Sequence, residues 1–352
     1  MPLVFDLDAA VSFLVELLNR HSPTGRTAEA VAFTQAAFEG LGVPGLTCRL
    51  TRKGALVITV PGRASDAPRA LTAHVDTLGL LVKEIKPSGR LRASQIGGGM
   101  WNAVEFEGVT VETQDGRRVR GTVLPANPSV HVSKDVATAQ RTEALMEVRL
   151  DARTNGAAET RALGIEVGDF ILVDPRVEVT DTGFIRSRYL DDKLSVACIY
   201  AALQALARAG ETPAQQTTIL ISNYEEVGHG GTGGLPDDLA EMVVVDMAAL
   251  GDGQSSDEFH CTLCVKDSGG PYSYDLNRKL RALAEAEGVP LVIDLYPFYS
   301  SDGTAYWRSG GQAQVALIGP GVEASHAYER THRDSLLHSA HLIARYLVDE
   351  SE

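Results

Sequence analysis

The spacing of hydrophobic residues predicts two helices at the start of the chain. Across residues 6–20, four apolar side chains recur at the spacing of one helical face: Val11, Leu14, Leu17 and Leu18. Asp6 or Asp8 is placed to cap this helix, because a carboxylate accepts the free amide hydrogens of the first turn. A second helix is predicted from about residue 27 to residue 38, ending near Gly40.

Apolar strands and helices then alternate along most of the chain. Strand-like runs follow the second helix, "LTCRL", "ALVITV", "RALTAHVD" and "LGLLVKEI", and others lie in the second half, "TTILISNY", "MVVVDMA", "PLVIDLY" and "QAQVALIG". Three helical patterns accompany the later strands: "DKLSVACIYAALQALARAG", "DLNRKLRALAEAEG" and residues 334–349. Strands that are apolar on both faces predict a sheet covered by helices on both sides, so the expected fold is α/β.

The pattern changes between residues 84 and 175. Helical periodicity nearly disappears there, and short strands such as "VEFEGVTVET" and "GTVL" alternate with turns such as "QDGRR" and "PANP". This segment predicts an inserted β-rich domain. The remaining residues, 1–83 and 176–352, are then expected to form one α/β domain.

Composition narrows the classes of function. The formal net charge of −14 and the absence of any Lys/Arg-rich block argue against nucleic-acid binding. Four cysteines in 352 residues are too few for a disulfide framework. No apolar run approaches the roughly 18 residues of a membrane span, and the first residues lack the pattern of a signal peptide. A cytoplasmic protein that does not bind membranes is expected.

Residues that bind metals stand at the ends of several predicted strands. In open α/β sheets, ligands bind beyond the carboxyl ends of the strands. Residue types suited to metal binding follow four predicted strands: His74 and Asp76, Glu225 and Glu226, Asp246, and His326. A further pair, Asp191 and Asp192, precedes a predicted helix. A single Asp after a strand is most often a turn or cap residue, but five such groups together indicate a metal site.

Imidazole and carboxylate without thiolate indicate zinc, cobalt or manganese in a hydrolytic site. Two such ions about 3.5–4 Å apart need a bridging carboxylate and further ligands for each ion. On a strand, Asp76 faces the same side as His74, which suits a carboxylate that orients the imidazole.

The ordered motifs "AHVDTLG", "YLDDK", "NYEEVGHGG", "VVVDM" and "SHAYERTH" resemble those of the glutamyl/deblocking (TET-type) family of co-catalytic metallo-aminopeptidases. The resemblance covers nearly the whole chain, since "HSPTGRTAEAV" and "LGIEVGDFILVDP" also fit. It implies a zinc-exopeptidase-like mixed sheet with an inserted PDZ-like β domain that shapes the site entrance and subunit contacts. It also implies two divalent ions per subunit, zinc foremost, and self-association, often as a dodecamer.

The family's roles transfer to matching positions of this sequence. His74 and Asp246 hold one ion by this resemblance, Glu226 and a late histidine hold the other, and Asp191 bridges them. Glu225 is implied as the general base and Asp76 as the residue that orients His74. One departure is Lys193, which stands where the family usually has Arg and implies a changed contact of the following helix.

Some assignments stay open at this stage. His326 is favoured over His332 as the late histidine because it follows the strand and glycine turn at the family's distance, and His332 is then a candidate for the substrate pocket. Asp302 either meets the substrate's amino group or caps a short helix. Asp192 is interpreted as a helix cap. The thiols of "HCTLC" are interpreted as buried strand residues.

These observations predict an aminopeptidase that removes N-terminal residues from short peptides. A metal-dependent amidase or deacylase acting on N-blocked or amidated small peptides is the alternative. A non-catalytic binding module with a vestigial site is a third and weaker reading.

Overall fold

The computed structural model describes residues 3–351, so residues 1, 2 and 352 of the expected α/β domain lie outside the described part. The chain divides into two compact units. The first contains the residues up to Asp76 and from Val177 onward, and the second is Thr77–Arg176. The inserted unit therefore begins before residue 84, because the run "LGLLVKEI" contributes its first strand.

The described helices are α1 (Leu7–Leu18), α2 (Ala28–Glu39), α3 (Trp101–Val104), α4 (Ala157–Ala162), α5 (Leu190–Ala209), α6 (Tyr274–Glu287), α7 (Asp302–Arg308) and α8 (Arg333–Val348). Asp6 caps α1, since its carboxylate accepts the amide hydrogen of Ala9 at 3.0 Å. Sequence periodicity missed α4, which is only a turn and a half long and carries one buried residue.

The described strands are β1 (Thr47–Leu50), β2 (Leu56–Val60), β3 (Ala64–His74), β4 (Gly79–Ile85), β5 (Leu91–Ile96), β6 (Gly108–Glu112), β7 (Arg118–Pro125), β8 (Met146–Leu150), β9 (Phe170–Val173), β10 (Glu178–Val179), β11 (Phe184–Ser187), β12 (Gln215–Ser222), β13 (Glu241–Val245), β14 (Ala248–Ala249), β15 (Cys261–Asp267), β16 (Gly270–Pro271), β17 (Leu291–Leu295), β18 (Gln314–Val322) and β19 (Glu329–His332).

A mixed sheet forms the centre of the first unit. Its strand order is β1-β2-β12-β3-β13-β18-β15-β16, with β14 paired to β18 and β17 paired to β15. The four neighbours β12, β3, β13 and β18 run parallel, whereas β1 and β2 pair antiparallel with their neighbours. β15 pairs antiparallel with β18 and β16 but parallel with β17. A small sheet of β10, β11 and β19 lies outside this sheet.

Alternating residues of β13 show that both sheet faces are covered. Val243 and Val245 belong to the large core that includes buried residues of α1, α5 and α8. Met242 and Val244 belong to a second core with Tyr306 of α7. Because successive strand residues point to opposite faces, helices pack on both sides of the sheet, and the α/β fold predicted from the sequence is confirmed.

The second unit is a β barrel with its own core. Its strands close in the order β4-β5-β8-β7-β6-β9. Inward-facing apolar residues such as Val109, Val111 and Val148 fill the interior. Within residues 3–351, none of the helices has both the length and the apolar character that a membrane crossing requires.

Candidate metal centre

Four neighbouring parallel strands carry the predicted site residues at the same edge of the sheet. His74 is the last residue of β3 and pairs in register with Ser222, the last residue of β12. The chain after β12 continues into Glu225 and Glu226, and the chain after β13 begins with Asp246. Because these strands run in the same direction, their carboxyl ends meet and bring distant parts of the sequence together.

The first group of candidate ligands consists of His74, Asp191 and Asp246. One ligand atom from each lies within 4.8 Å of the others. The Nε2 atom of His74 lies 3.3 Å from Oδ1 of Asp191. The amide of Met247 donates to Oδ1 of Asp246 at 2.7 Å and fixes the orientation of that carboxylate. All three ligand side chains are buried.

The second group consists of Asp191, Glu226 and His326, again with ligand atoms within 4.8 Å of one another. Nε2 of His326 lies 3.4 Å from Oδ2 of Asp191 and 3.5 Å from Oε2 of Glu226. Asp191 thus belongs to both groups and presents a different oxygen to each imidazole. It lies at the start of α5, and its peptide bond to Asp192 is cis.

Glu225 lies beside the first group and belongs to neither group. Its Oε2 atom is 3.6 Å from Nε2 of His74, and its side chain is 13% exposed. Glu226 is the next residue, yet its carboxylate faces His326. The turn after β12 therefore directs two adjacent carboxylates toward different imidazoles.

Asp76 supports this turn through hydrogen bonds. Its carboxylate accepts the amide hydrogens of Glu225 at 3.1 Å and Glu226 at 3.2 Å. It also accepts the hydroxyl hydrogen of Thr24 at 2.6 Å. Nδ1 of His74 is 2.9 Å from the backbone carbonyl oxygen of Asp76 and 3.6 Å from its carboxylate. The imidazole is thus oriented by the main chain of Asp76, whereas the carboxylate holds the Glu225–Glu226 turn.

Burial and mutual repulsion shift the pKa values of these acids. Burial, reinforced by the charge of Asp191, raises the pKa of Glu226 to about 8 and that of Asp246 to about 7. Burial raises the pKa of Glu225 well above its usual range, reinforced by the charges of Asp246, Asp302 and Glu226 and opposed by His74. Burial lowers the pKa of His74, but its hydrogen bond with Asp191 and the nearby carboxylates raise it well above its ordinary value.

The residues present fit divalent cations. A carbonyl oxygen can only accept a hydrogen bond, so the contact with Asp76 places the proton of His74 on Nδ1 and leaves Nε2 as the ligand atom. Burial and the charge of Asp191 disfavour the charged forms of Glu226 and Asp246, and a bound cation would offset this cost. Imidazole and carboxylate donors without thiolate suit zinc, cobalt and manganese.

Sequence reasoning missed Glu329 and Thr24. The buried carboxylate of Glu329 accepts the amide hydrogens of Asp191 at 3.1 Å and His326 at 3.0 Å. The signal for Glu329 was an acid three residues after His326 in "SHAYERTH". Thr24 lies in "HSPTGRT", a motif recognised as part of the resemblance but given no role.

The structure gives the contacts of His332 and Asp192, two of the residues whose roles the sequence leaves open. His332 belongs to neither ligand group. Its Nδ1 accepts the amide hydrogen of Asp334 at 3.2 Å and so caps α8, and its Nε2 is 2.9 Å from the carbonyl oxygen of Thr182. Asp192, predicted as a helix cap, has a non-helical backbone at the start of α5, and its carboxylate accepts the amide hydrogen of His74 at 3.2 Å.

Asp302 does not cap α7, because the hydroxyl of Ser301 accepts the amide hydrogen of Gly303 and so caps this helix. The Asp302 side chain is buried, and neither of its oxygens has a hydrogen-bond partner of good geometry among residues 3–351. Burial raises the pKa of Asp302 to about 6, although the nearby hydroxyl of Ser222 opposes this. Its charge also contributes to the raised pKa values of Glu225 and Asp246, so it lies near the ligand groups.

The glycines of "GHGG" bring the turn against α7. A Cβ atom on Gly230 would lie 2.4 Å from Oδ1 of Asp302, and one on Gly231 would lie 2.2 Å from the Asp302 carbonyl oxygen. Gly228 has φ of +83°, in the left-handed region that glycine favours. The thiols of Cys261 and Cys264 are buried in β15, as expected from their apolar surroundings.

Comparisons with known proteins agree with this fold. Residues 54–342 match the family described as M42 glutamyl aminopeptidase. The chain is similar to YhfE, a candidate aminopeptidase of Bacillus subtilis (strain 168), with 44% identity over 337 residues and 96% of each chain covered.

Solved structures show the same fold at low identity. An aminopeptidase from Desulfurococcus kamchatkensis superposes with a TM-score of 0.86 at 20% identity, covering 97% of this chain and 95% of that one. The TET1 peptidase of Pyrococcus horikoshii, which can assemble into a tetrahedron or a large octahedral shell, gives a TM-score of 0.82 at 19% identity, covering 97% and 99%.

Proposed function

This chain belongs to the M42 glutamyl aminopeptidase family, and on that premise we propose that it removes N-terminal residues from short peptides at a centre that binds two divalent ions. Membership makes it a peptide-hydrolysing enzyme. The observation that carries the two-ion proposal is the pair of ligand groups that share Asp191.

Each ion has its own ligands in this proposal. His74 and Asp246 would hold one ion, Glu226 and His326 would hold the other, and Asp191 would contribute to both sites. The separate oxygens that Asp191 presents to the two imidazoles support the bridging role. Zinc is the expected ion, and cobalt or manganese would suit the same donors.

The ions, when bound, lower the pKa of water and polarise the scissile carbonyl group. Glu225 takes the proton of the attacking water and returns it to the nitrogen of the leaving amine. Its position favours this role, since its carboxylate faces His74 but lies outside both ligand groups. Asp76 keeps Glu225 in place by accepting the amide hydrogens of the turn.

Asp302 is proposed to attract the free amino group of the substrate. A buried carboxylate without a hydrogen-bond partner of good geometry is costly unless a donor or cation meets it, and a substrate ammonium group supplies both. Recognition of a free amino terminus would confine cleavage to the first residue. Replacing Asp302 with Asn is then expected to raise KM more than it lowers kcat.

Self-association is part of the proposal. The Pyrococcus horikoshii TET1 peptidase can assemble into a tetrahedron or a large octahedral shell, and another similar solved structure is a dodecamer. A dodecamer of this chain is proposed by analogy. The inserted β barrel, Thr77–Arg176, is proposed to contribute to subunit contacts. A cytoplasmic location is proposed for the enzyme.

The variant Glu225→Gln tests the proposed mechanism. It should retain the fold and both ions while turnover of aminoacyl substrates falls by about 10²–10⁴-fold, the usual contribution of a general base. Retained turnover would contradict the assignment of Glu225. The wild-type enzyme should prefer free-amine substrates over N-acetylated ones, and the opposite preference would indicate an amidase or deacylase instead.

A further inference from the structure

We propose that Glu329 is a positioning residue that holds His326 and Asp191 in place for the ion at the Asp191–Glu226–His326 group. This inference rests on the two-ion centre of the proposed function. It assigns a role to a residue that does not itself belong to either ligand group.

The contacts of Glu329 connect two distant segments of the chain. Oε1 accepts the amide hydrogen of His326 at 3.0 Å, and Oε2 accepts that of Asp191 at 3.1 Å. Glu329 is 2% exposed and begins β19, where it pairs with Ser187 of β11. One carboxylate on a strand therefore fixes the main chain of two candidate ligands.

The turn that carries His326 has an unfavourable backbone conformation. His326 has φ of +64° and Ala324 has φ of +59°, both in the left-handed region that residues with a side chain rarely adopt. Such conformations persist where surrounding contacts determine them. The hydrogen bond from His326 to Glu329 is one contact of this kind, and another runs from the hydroxyl of Ser325 to Oδ2 of Asp191 at 3.2 Å.

The chemistry of the contact requires a carboxylate. Both partners of Glu329 are amide donors, so both of its side-chain oxygens act as acceptors. Glutamine has the same shape but offers one acceptor and one donor group. In Glu329→Gln, an NH₂ group would face one of the two amide hydrogens, and one segment would lose its partner.

The effect should be larger at one ion than at the other. The side chain of His326 is 34% exposed, so burial constrains it less than it constrains His74 and Asp246 once the Glu329 contact is lost. The ligands His74 and Asp246 have separate supports, since Asp192 accepts the amide hydrogen of His74 and Met247 donates to Asp246. Loss of Glu329 therefore weakens the ion bound through His326 first.

The experiment compares Glu329→Gln and Glu329→Ala with wild type and with Glu241→Gln. Glu241 is the matched control because it is a mostly buried glutamate of the same unit, paired with Arg69 and Lys279 at the opposite end of β13. Each purified enzyme is stripped with a chelator and titrated with cobalt and with zinc. The number of bound ions, both affinities, the visible absorption of the cobalt enzyme and the Tm of the stripped protein are recorded.

Wild type and Glu241→Gln should bind two ions with the same pair of affinities. Both Glu329 variants should bind one ion with the wild-type affinity and the other ion about 10–100-fold more weakly. Their singly loaded cobalt spectrum should match that of Glu226→Ala, which lacks a ligand of the same ion. The Tm of each stripped variant shows whether a change in affinity accompanies a loss of fold.

Unchanged affinities in Glu329→Gln, or an equal loss of both ions, would overturn the positioning role. An equal loss with a large drop in Tm would assign Glu329 to the general stability of the fold instead. Wild-type enzyme that binds fewer than two ions would contradict the proposed function itself, so the two failures are distinguishable.

Discussion

Nδ1 of His74 lies 2.9 Å from the backbone carbonyl oxygen of Asp76, whereas the Asp76 carboxylate accepts hydrogen bonds from the turn that carries Glu225 and Glu226. One residue thus supports two parts of the centre through different groups. The main-chain oxygen orients an imidazole, and the side chain holds two acids. The position of Asp76 two residues after His74 predicts that its carboxylate orients the imidazole. In the structure, the backbone carbonyl oxygen of Asp76 makes the shorter contact.

Asp76→Asn should therefore affect the general base more than the metal ligand. Asparagine would present an NH₂ group to one of the amide hydrogens of the turn, and a displacement of Glu225 by about 1 Å is expected to lower kcat by roughly 10²-fold. The ion held through His74 should remain, because the backbone carbonyl oxygen is unchanged. Steady-state kinetics with metal analysis checks this. Thr24→Val, which removes one of the donors to the same carboxylate, is a milder control, and loss of the His74 ion in Asp76→Asn would contradict the prediction.

Removing a ligand from each group should remove a different ion. We expect Asp246→Ala and Glu226→Ala each to retain about one ion per subunit, because each group loses one of its three candidate ligands. The remaining cobalt ion should give a different visible spectrum in each variant, since its donors differ. Asp252→Ala, at an exposed carboxylate, should keep both ions. Identical residual spectra would show that the acids do not serve separate ions.

Most of the site follows from the order of strands. Continuous apolar runs predicted the central strands, and parallel strands necessarily bring their carboxyl ends to one edge. His74, Glu226 and Asp246 can be grouped for that reason from the sequence alone. The side-chain alternation of a strand showed which residues face the same way, but it carries no information on which atom of Asp76 meets the imidazole.

Contacts between distant segments were beyond sequence reasoning. Glu329 acts on main-chain amides, which carry no side-chain signature. Lys193 replaces the family's usual Arg, and only the structure shows that its ammonium group reaches the carbonyl oxygens of Leu17 and Arg20 at the end of α1. The short helix α4 has too few residues for a periodic pattern to emerge.

The two late histidines should behave differently when replaced. His326→Ala should lose one ion and nearly all turnover, because His326 contacts Asp191 and Glu226. His332→Ala should keep both ions but destabilise the fold by about 1 kcal/mol, since His332 caps α8. Metal analysis and thermal unfolding of the two variants provide the measurements. Loss of an ion in His332→Ala, with both ions kept in His326→Ala, would reverse the assignment.

Lys193 should make stability depend on pH in alkaline solution. Its side chain is fully buried, and burial lowers its pKa from 10.5 to about 7. Between pH 7 and 10.5 the unfolded chain therefore carries a proton that the folded chain has released, so the contribution of Lys193 to stability becomes more favourable as pH rises. The slope is expected to approach about 1.4 kcal/mol per pH unit within this window and to vanish below pH 7, where both states are protonated.

Lys193→Met removes this titration. The variant also loses the hydrogen bonds to Leu17 and Arg20, and the cost of that loss should not vary with pH. The measurement is the free energy of unfolding of each chelator-stripped protein, obtained by denaturant titration. The value for the variant minus the value for wild type should be largest near pH 7 and should decrease steadily toward pH 10. Lys134→Met, at an exposed lysine, should show no such decrease. A difference for Lys193→Met that stays constant across this range would show that the buried amine keeps its ordinary pKa.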